Sequence, residues 1–186
     1  MLIALAISLL PGSPDSTLIA AAPQSQIVEH GIYLWKHASS NVSYNPNTTN
    51  PLVYSGGTGV FVKETRRIPL VHHLSFGFSF YLKNLPDGSY KFLWEVQHPP
   101  IKTADGKLTT GYKDWRVVAV KDGWADNSTK VYTFDHPFEM VAGSWQFTYS
   151  YQSKVILKQR FETYVPNQDE QKQWRKLVAE MQKKYQ

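Results

Sequence analysis

The chain of 186 residues contains no cysteine, so a disulfide framework, a thiolate metal site and a lipid anchor on cysteine are all excluded. It also lacks a membrane-spanning run. Leu2–Leu10 (LIALAISLL) is uncharged for only nine residues, where a spanning helix needs about 20. Reaction signatures are missing as well: there is no G-x-S-x-G elbow, S-x-x-K motif or cysteine nucleophile. The six histidines include no H-E-x-x-H, no i, i+2 pair and no H-x₃₋₅-H spacing. Gly56-Gly57-x-Gly59 does not extend into G-x-x-x-x-G-K-[ST], so it is not a phosphate-binding P-loop. The sequence therefore calls for no catalytic residue, no metal ligand and no cofactor.

What is present is aromatic and slightly basic. Aromatic residues make up 14 % of the chain, with 6 Trp, 11 Tyr and 9 Phe; flat rings pack well on pleated surfaces and favour strands. A globular body of this length buries about 70 % of its unfolded surface, which is enough core to fold without staples. The 20 Lys and Arg exceed the 15 Asp and Glu, for a formal net charge of +5. Much of the excess is local, in Lys172, Arg175, Lys176, Lys183 and Lys184 near the end of the chain. This reads as a solvated basic tail, and no nucleic-acid motif accompanies it.

Leu2–Leu10 followed by Pro11-Gly12 matches the hydrophobic core of a secretory signal, with cleavage expected between Ala20 and Ser25. No Lys or Arg precedes the run, and Pro23 follows Ala22, so the segment (1–25) reads as a signal peptide or its remnant. The expected compartment is periplasmic or extracellular, with no stable membrane anchor once the signal is removed.

From Gln26 onwards, short strands alternate with Gly, Pro, Asn and Asp clusters. Ser75–Leu82 puts Phe76, Phe78, Phe80 and Leu82 on one face. After Pro86-Asp87-Gly88 the chain runs back through Tyr90–His98, predicting a hairpin that ends at Pro99-Pro100. Asn41–Pro51 reads as a loop throughout. Trp145, Phe147, Tyr149 and Tyr151 alternate with polar residues, and a turn at Gln152-Ser153 leads to Val155, Leu157 and Phe161 on one face. After Pro166, Trp174, Leu177, Val178, Met181 and Tyr185 form one helical stripe, capped by Asn167 or Asp169 and expected to pack on the β body. The prediction is an all-β, antiparallel two-sheet sandwich of about eight strands over 26–166, with a C-terminal amphipathic helix over 167–186; a β-barrel is the rival.

Ala142-Gly143-Ser144-Trp145-x-Phe147, followed by a turn, Val155-x-Leu157 and Phe161, has the cadence of a terminal hairpin in secreted Ig-like domains. With Gly31-Ile32-Tyr33, Leu85-Pro86-x-Gly88-x-Tyr90 and His98-Pro-Pro-Ile101, the chain resembles a bacterial family of exported domains known only as a domain of unknown function. That resemblance implies an Ig-like fold and transfers no activity.

Sandwich domains bind ligands on loop-borne rings, so Trp124, Tyr112, Trp115, His98 and His136 are the candidate ligand-binding residues. Trp124, in Asp122-Gly-Trp-Ala-Asp-Asn127, has the most polar setting. The leading reading is an exported, non-catalytic binding or interaction module for a protein or carbohydrate ligand in the bacterial cell envelope. The alternative is a metal-dependent or carboxylate-based hydrolase near His98 and His136, with Asp105 and Asp135 nearby in sequence. His72 and His73, placed in a strand, would point to opposite faces.

Overall fold

The computed structural model describes residues 23–37, 42–46, 48–54, 56–125 and 129–184. The apolar run Leu2–Leu10 and the helix-stripe residue Tyr185 lie outside the described residues. Twelve strands are found among those described. A four-stranded sheet has the order β10-β6-β1-β4, and a six-stranded sheet has the order β5-β12-β11-β7-β8-β9. The first is built from β1 (Gln24–His37), β4 (Gly57–Glu64), β6 (Ser75–Lys83) and β10 (Thr129–Thr133). The second contains β5 (Arg67–Pro69), β7 (Gly88–Lys102), β8 (Leu108–Lys121), β9 (Trp124–Ala125), β11 (Gly143–Tyr151) and β12 (Lys154–Tyr164). Neither sheet closes on itself, so the architecture is a sandwich. Pairing is antiparallel except where β5 runs parallel to β12.

The inner faces follow the alternation of the sequence. Phe76, Phe78, Phe80 and Leu82 are buried on β6, and Trp145, Phe147 and Tyr149 are buried on β11. Their rings meet across the sandwich: Phe76 lies 5.4 Å from Trp145, Phe78 6.0 Å from Phe147, and Phe80 5.4 Å from Tyr149, between centroids. Edge-to-face geometry at these distances adds to the area term.

Three expectations are corrected. Strands β6 and β7 are not a hairpin: β6 pairs with β1 and β10, whereas β7 pairs with β11 and β8. The segment Asn84–Asp87 crosses from one sheet to the other, because both strands carry an unbroken apolar face and each is covered by the opposite layer. Trp94 accordingly stacks on Phe147 of its own sheet at 5.5 Å and meets Phe78 across the core at 6.1 Å. Secondly, Pro99-Pro100 does not end β7. A register shift between Gln97 and Ile101 absorbs both prolines, and pairing resumes at Ile101↔Thr109; a bulge is where a sheet tolerates residues that donate no N–H. Thirdly, the expected loop Asn41–Pro51 includes a strand, β2 (Val42–Tyr44), paired with β3 (Leu52–Tyr54) as a separate ribbon.

The turn at Gln152-Ser153 has positive φ at both residues (47° and 64°), the geometry that matches strand twist in a two-residue hairpin loop. A register shift flanks this turn: Tyr149 pairs with Leu157 but Ser150 pairs with Val155, so Ile156 is the extra residue on β12. The shift turns Val155 out of the expected apolar face, leaving it 60 % exposed while Leu157 and Phe161 stay buried.

Helix α1 (Gln168–Lys184) opens on a capping box. Asn167 Oδ1 accepts from the Glu170 N–H at 2.9 Å, and Glu170 Oε2 accepts from the Asn167 N–H at 3.2 Å. Asn167 is therefore the cap, and Val178 with half-buried Trp174 and Met181 packs on the β body. Among the described residues no helix is long and apolar enough to cross a membrane.

Two substitutions test this packing. Phe78→Ala is expected to cost about 3–5 kcal/mol in urea denaturation. Val155→Ala is expected to stay within about 0.5 kcal/mol of the parent, as outward-facing residues do; a loss comparable to that of Phe78→Ala would refute the bulge.

Candidate functional site

One end of the sandwich carries a cleft of about 810 Å³ between three segments, a size within the usual range for ligand pockets. The β2–β3 ribbon supplies the first wall, with Tyr44 71 % exposed. Its turn is self-bonded: Asn45 N–H donates to the Pro51 carbonyl at 2.8 Å, and Thr48 Oγ1 donates to the Asn45 and Asn50 carbonyls at 2.8 and 2.6 Å. The second wall is the tip of the β7–β8 hairpin. There Thr103 Oγ1 donates to Asp105 Oδ1 and, at 2.8 Å, to the Lys107 carbonyl. The Thr103 bond is the main reason that the Asp105 carboxyl titrates below its ordinary value. The third wall is the short 3-10 turn Pro137–Glu139, which presents His136 and Phe138 with rings stacked 5.2 Å apart and 7° from parallel.

The sequence-derived candidates do not gather in this cleft; His98 and Tyr112 instead border a separate hollow of about 670 Å³ beside Gln97, Gln146 and Arg160. His136 lines the cleft. His98 is buried behind it: its Nε2 lies 2.7 Å from Thr49 Oγ1, and its Nδ1 lies 2.7 Å from the Pro99 carbonyl. The carbonyl can only accept, so Nδ1 carries the proton and Thr49 donates to Nε2. Both nitrogens of His98 are thus occupied, and burial lowers its pKa below the ordinary histidine value. His98 and His136 do not converge on a shared open position, because only His136 lines the cleft. Tyr112 points between the sheets from β8, where loss of solvation pushes its phenol up to about 12. Trp115 lies on the solvent face of the six-stranded sheet, away from the cleft-lining residues. Trp124 starts β9, paired at Lys121; its side chain lies outside the described residues.

His72 and His73 also depart from expectation. They occupy a turn rather than a strand, with His73 at φ 63°. Their rings stand 3.8 Å apart; His72 Nε2 is 2.9 Å from the Asp135 carbonyl, and His73 Nδ1 is 3.9 Å from the Asp135 carboxylate. Among the described residues no group of three His, Asp or Glu side chains is arranged to hold a metal ion.

A group that the sequence reading missed stands directly behind the cleft. Glu139 is 1 % exposed. Its Oε1 accepts from Tyr132 OH and its Oε2 from the His136 N–H, both at 2.7 Å. These bonds hold the turn that carries His136 and Phe138. Burial outweighs them and pushes the Glu139 carboxyl up to about 7, from an ordinary 4.5. No local motif announces this, because Tyr132 comes from β10 and only the fold closes the environment.

The titration has a definite sign. The folded protein holds the Glu139 proton more tightly than the unfolded chain, so its contribution is complete below pH 4.5 and is lost as pH rises through 7. Relative to Glu139→Gln, the parent is expected to lose about 3 kcal/mol of stability between pH 4.5 and 8. Comparing the two proteins removes the opposite slope from His98 and His73, whose lowered pKa values favour the folded state as pH rises. Parallel pH–stability curves for parent and variant would refute the assignment.

The chain is similar to an immunoglobulin-like protein from Pseudomonas aeruginosa known from a crystal structure at 1.50 Å, with a TM-score of 0.55 and 18 % identity over 78 % of this chain and 99 % of that one. The likeness establishes an Ig-like fold. No curated protein matches the chain. The family model for a domain of unknown function (DUF3859) matches residues 21–163, which include both sheets and all three walls of the cleft, and the chain belongs to that family.

Proposed function

We propose that the protein is an exported, non-catalytic binding module of the bacterial cell envelope whose ligand enters the cleft at the loop end of the sandwich. One observation carries this reading: Tyr44, Leu108, His136 and Phe138 offer apolar and aromatic surface around a cavity that also presents Asn50, Asp105 and Thr110. That mixture suits a ligand with both an apolar face and hydrogen-bonding groups, as a carbohydrate or an extended peptide has. The walls are braced by their own hydrogen bonds, so little ordering entropy is lost on binding. The hydrolase alternative draws no such support, since the imidazole of His98 is already bonded at both nitrogens.

Glycan and peptide libraries screened on the purified protein, followed by calorimetric titration of the hits, test the reading. Tyr44→Ala and Phe138→Ala are each expected to weaken a true ligand about tenfold or more, as loss of a buried anchor does. A ligand indifferent to both would sink the proposal. So would turnover of an ester, glycoside or peptide that disappears when one histidine or carboxylate is replaced.

Export rests on the uncharged run Leu2–Leu10, which precedes the first described strand at Gln24. Residues 1–30 fused to a reporter active only outside the cytoplasm, with the natural upstream codons restored, should yield an active reporter. A reporter that stays cytoplasmic and inactive would remove the envelope from the proposal.

A further inference from the structure

The solvent face of the six-stranded sheet combines exposed apolar residues with cations, of which Arg66, Lys158 and Arg160 form no ion pair among the described residues. Its register places Trp115, Leu93, Ser150 and Val155 in one row across β8, β7, β11 and β12, about 14 Å long at the usual strand spacing. Trp115 and Val117 are 56 % and 73 % exposed, and Lys91 holds its ammonium 4.9 Å from the Trp115 ring centroid. Exposed apolar groups gathered on one face, unlike isolated ones, mark an interaction surface.

The adjoining rows are basic towards β12. Lys113, Glu95, Thr148 and Lys158 form one row, and Gly111, Gln97, Gln146 and Arg160 form the next. Lys113 neutralises Glu95 at 3.2 Å. Arg160 is oriented by a ladder of side chains: its Nε donates to Gln146 Oε1 at 2.9 Å, Gln146 donates to Gln97 at 3.1 Å, and Gln97 donates to Glu95 at 3.0 Å. Among the described residues only Nε of this guanidinium is bonded, which leaves its terminal nitrogens for a ligand. Beside it lies a concavity of about 370 Å³ lined by Arg66, Lys158, Gln159 and Arg160, three cations with no carboxylate among them.

We propose that this face docks reversibly on an anionic phospholipid bilayer. Headgroup phosphates would occupy the concavity of Arg66, Lys158 and Arg160, where the planar guanidinium fork matches phosphate oxygens. Trp115, Val117 and Val155 would lie at the boundary with the acyl chains, the level at which an amphipathic indole is most favourable. The aliphatic members decide against a nucleic acid. Single-stranded binding faces align successive aromatic rings for base stacking, whereas Val117 and Val155 have nothing to stack and only apolar area to bury. Attraction between surface cations and an anionic leaflet falls off within a Debye length, so the association is reversible and salt-sensitive.

Sedimentation of the purified protein with vesicles tests this. It should co-sediment with phosphatidylglycerol–phosphatidylcholine vesicles and not with phosphatidylcholine alone, and added salt should release it. Lys158→Gln with Arg160→Gln should weaken binding about 30-fold, the effect of two lost leaflet contacts. Trp115→Ala with Val117→Ser should weaken binding at every salt concentration, because the apolar contact is not screened. Val60→Ser with Val62→Ser, exposed on β4 of the other sheet, should leave binding unchanged. All six positions are at the surface, so melting curves should overlay the parent. Equal binding to uncharged vesicles, failure to bind either kind, insensitivity to both variants, or capture of a single-stranded oligonucleotide in place of vesicles would each overturn the proposal.

Discussion

The structure depends on the contact between two aromatic faces, and Phe76 is its centre. The ring is fully buried and lies 5.4 Å from Trp145, 5.7 Å from Phe147, 5.4 Å from Phe161 and 5.3 Å from Phe134. Three of these partners belong to the six-stranded sheet, while Phe134 follows β10 of the four-stranded sheet. A ring of this kind buries roughly 150–250 Å². At about 25 cal/mol per Å² that is roughly 4–6 kcal/mol as an upper bound for each side chain. Cysteine is not needed to join the layers, because the aromatic interlock already does so.

The same contact tolerates polar loss. Among the described residues, Trp145 Nε1 and Tyr149 OH are buried without a hydrogen-bond partner. An unsatisfied group of this type costs about 1–3 kcal/mol, less than the apolar burial of its own ring contributes. Tyr149 is stacked on Phe92 at 5.0 Å and meets Phe80 across the core at 5.4 Å, so ring packing fixes its position against the needs of its hydroxyl. Burial of Glu139 follows the same order of magnitudes. Its two hydrogen bonds secure the 3-10 turn, and the desolvation of its carboxylate appears as a raised pKa rather than as a displaced turn.

Period-two alternation made the core legible, because a buried sheet face admits only one register. Phe76, Phe78, Phe80, Trp145, Phe147 and Tyr149 were all readable on that basis; the helix cap was narrowed only to Asn167 or Asp169, and Asn167 fills it. Pairing was harder. A turn such as Pro86-Asp87-Gly88 has the same residues whether it closes a hairpin or carries the chain between layers, so the hairpin expected of β6 and β7 could not be distinguished from a crossover. Val155 was misplaced because a bulge shifts the side-chain period, and nothing in Gln152-Ser153-Lys154 marks one. Of the candidate residues, His136 proved to line a cleft, whereas His98 was drawn into the interior by a threonine 49 positions away. Glu139 was invisible because its pKa is set by burial and by Tyr132, neither of which is a sequence pattern.

Irregularities, more than regular strands, create the surfaces on which a function can rest. The bulge that absorbs Pro99 and Pro100 lets β7 and β8 run on to Lys102 and Leu108, and that extension carries Thr103 and Asp105 to the cleft. Gly111 sits opposite this bulge at φ 148°, where an added Cβ would meet the Val96 carbonyl oxygen at 2.2 Å; only glycine allows the two strands to stay paired there. The second bulge, at Tyr149/Ser150, turns Val155 outward and completes the row begun by Trp115. A sandwich with uninterrupted strands would have kept Val155 on the core side and ended β7 at the prolines. The departures from alternation therefore account for both the cleft at the loop end and the apolar row on the sheet, while the aromatic interlock beneath remains regular enough to hold them in place.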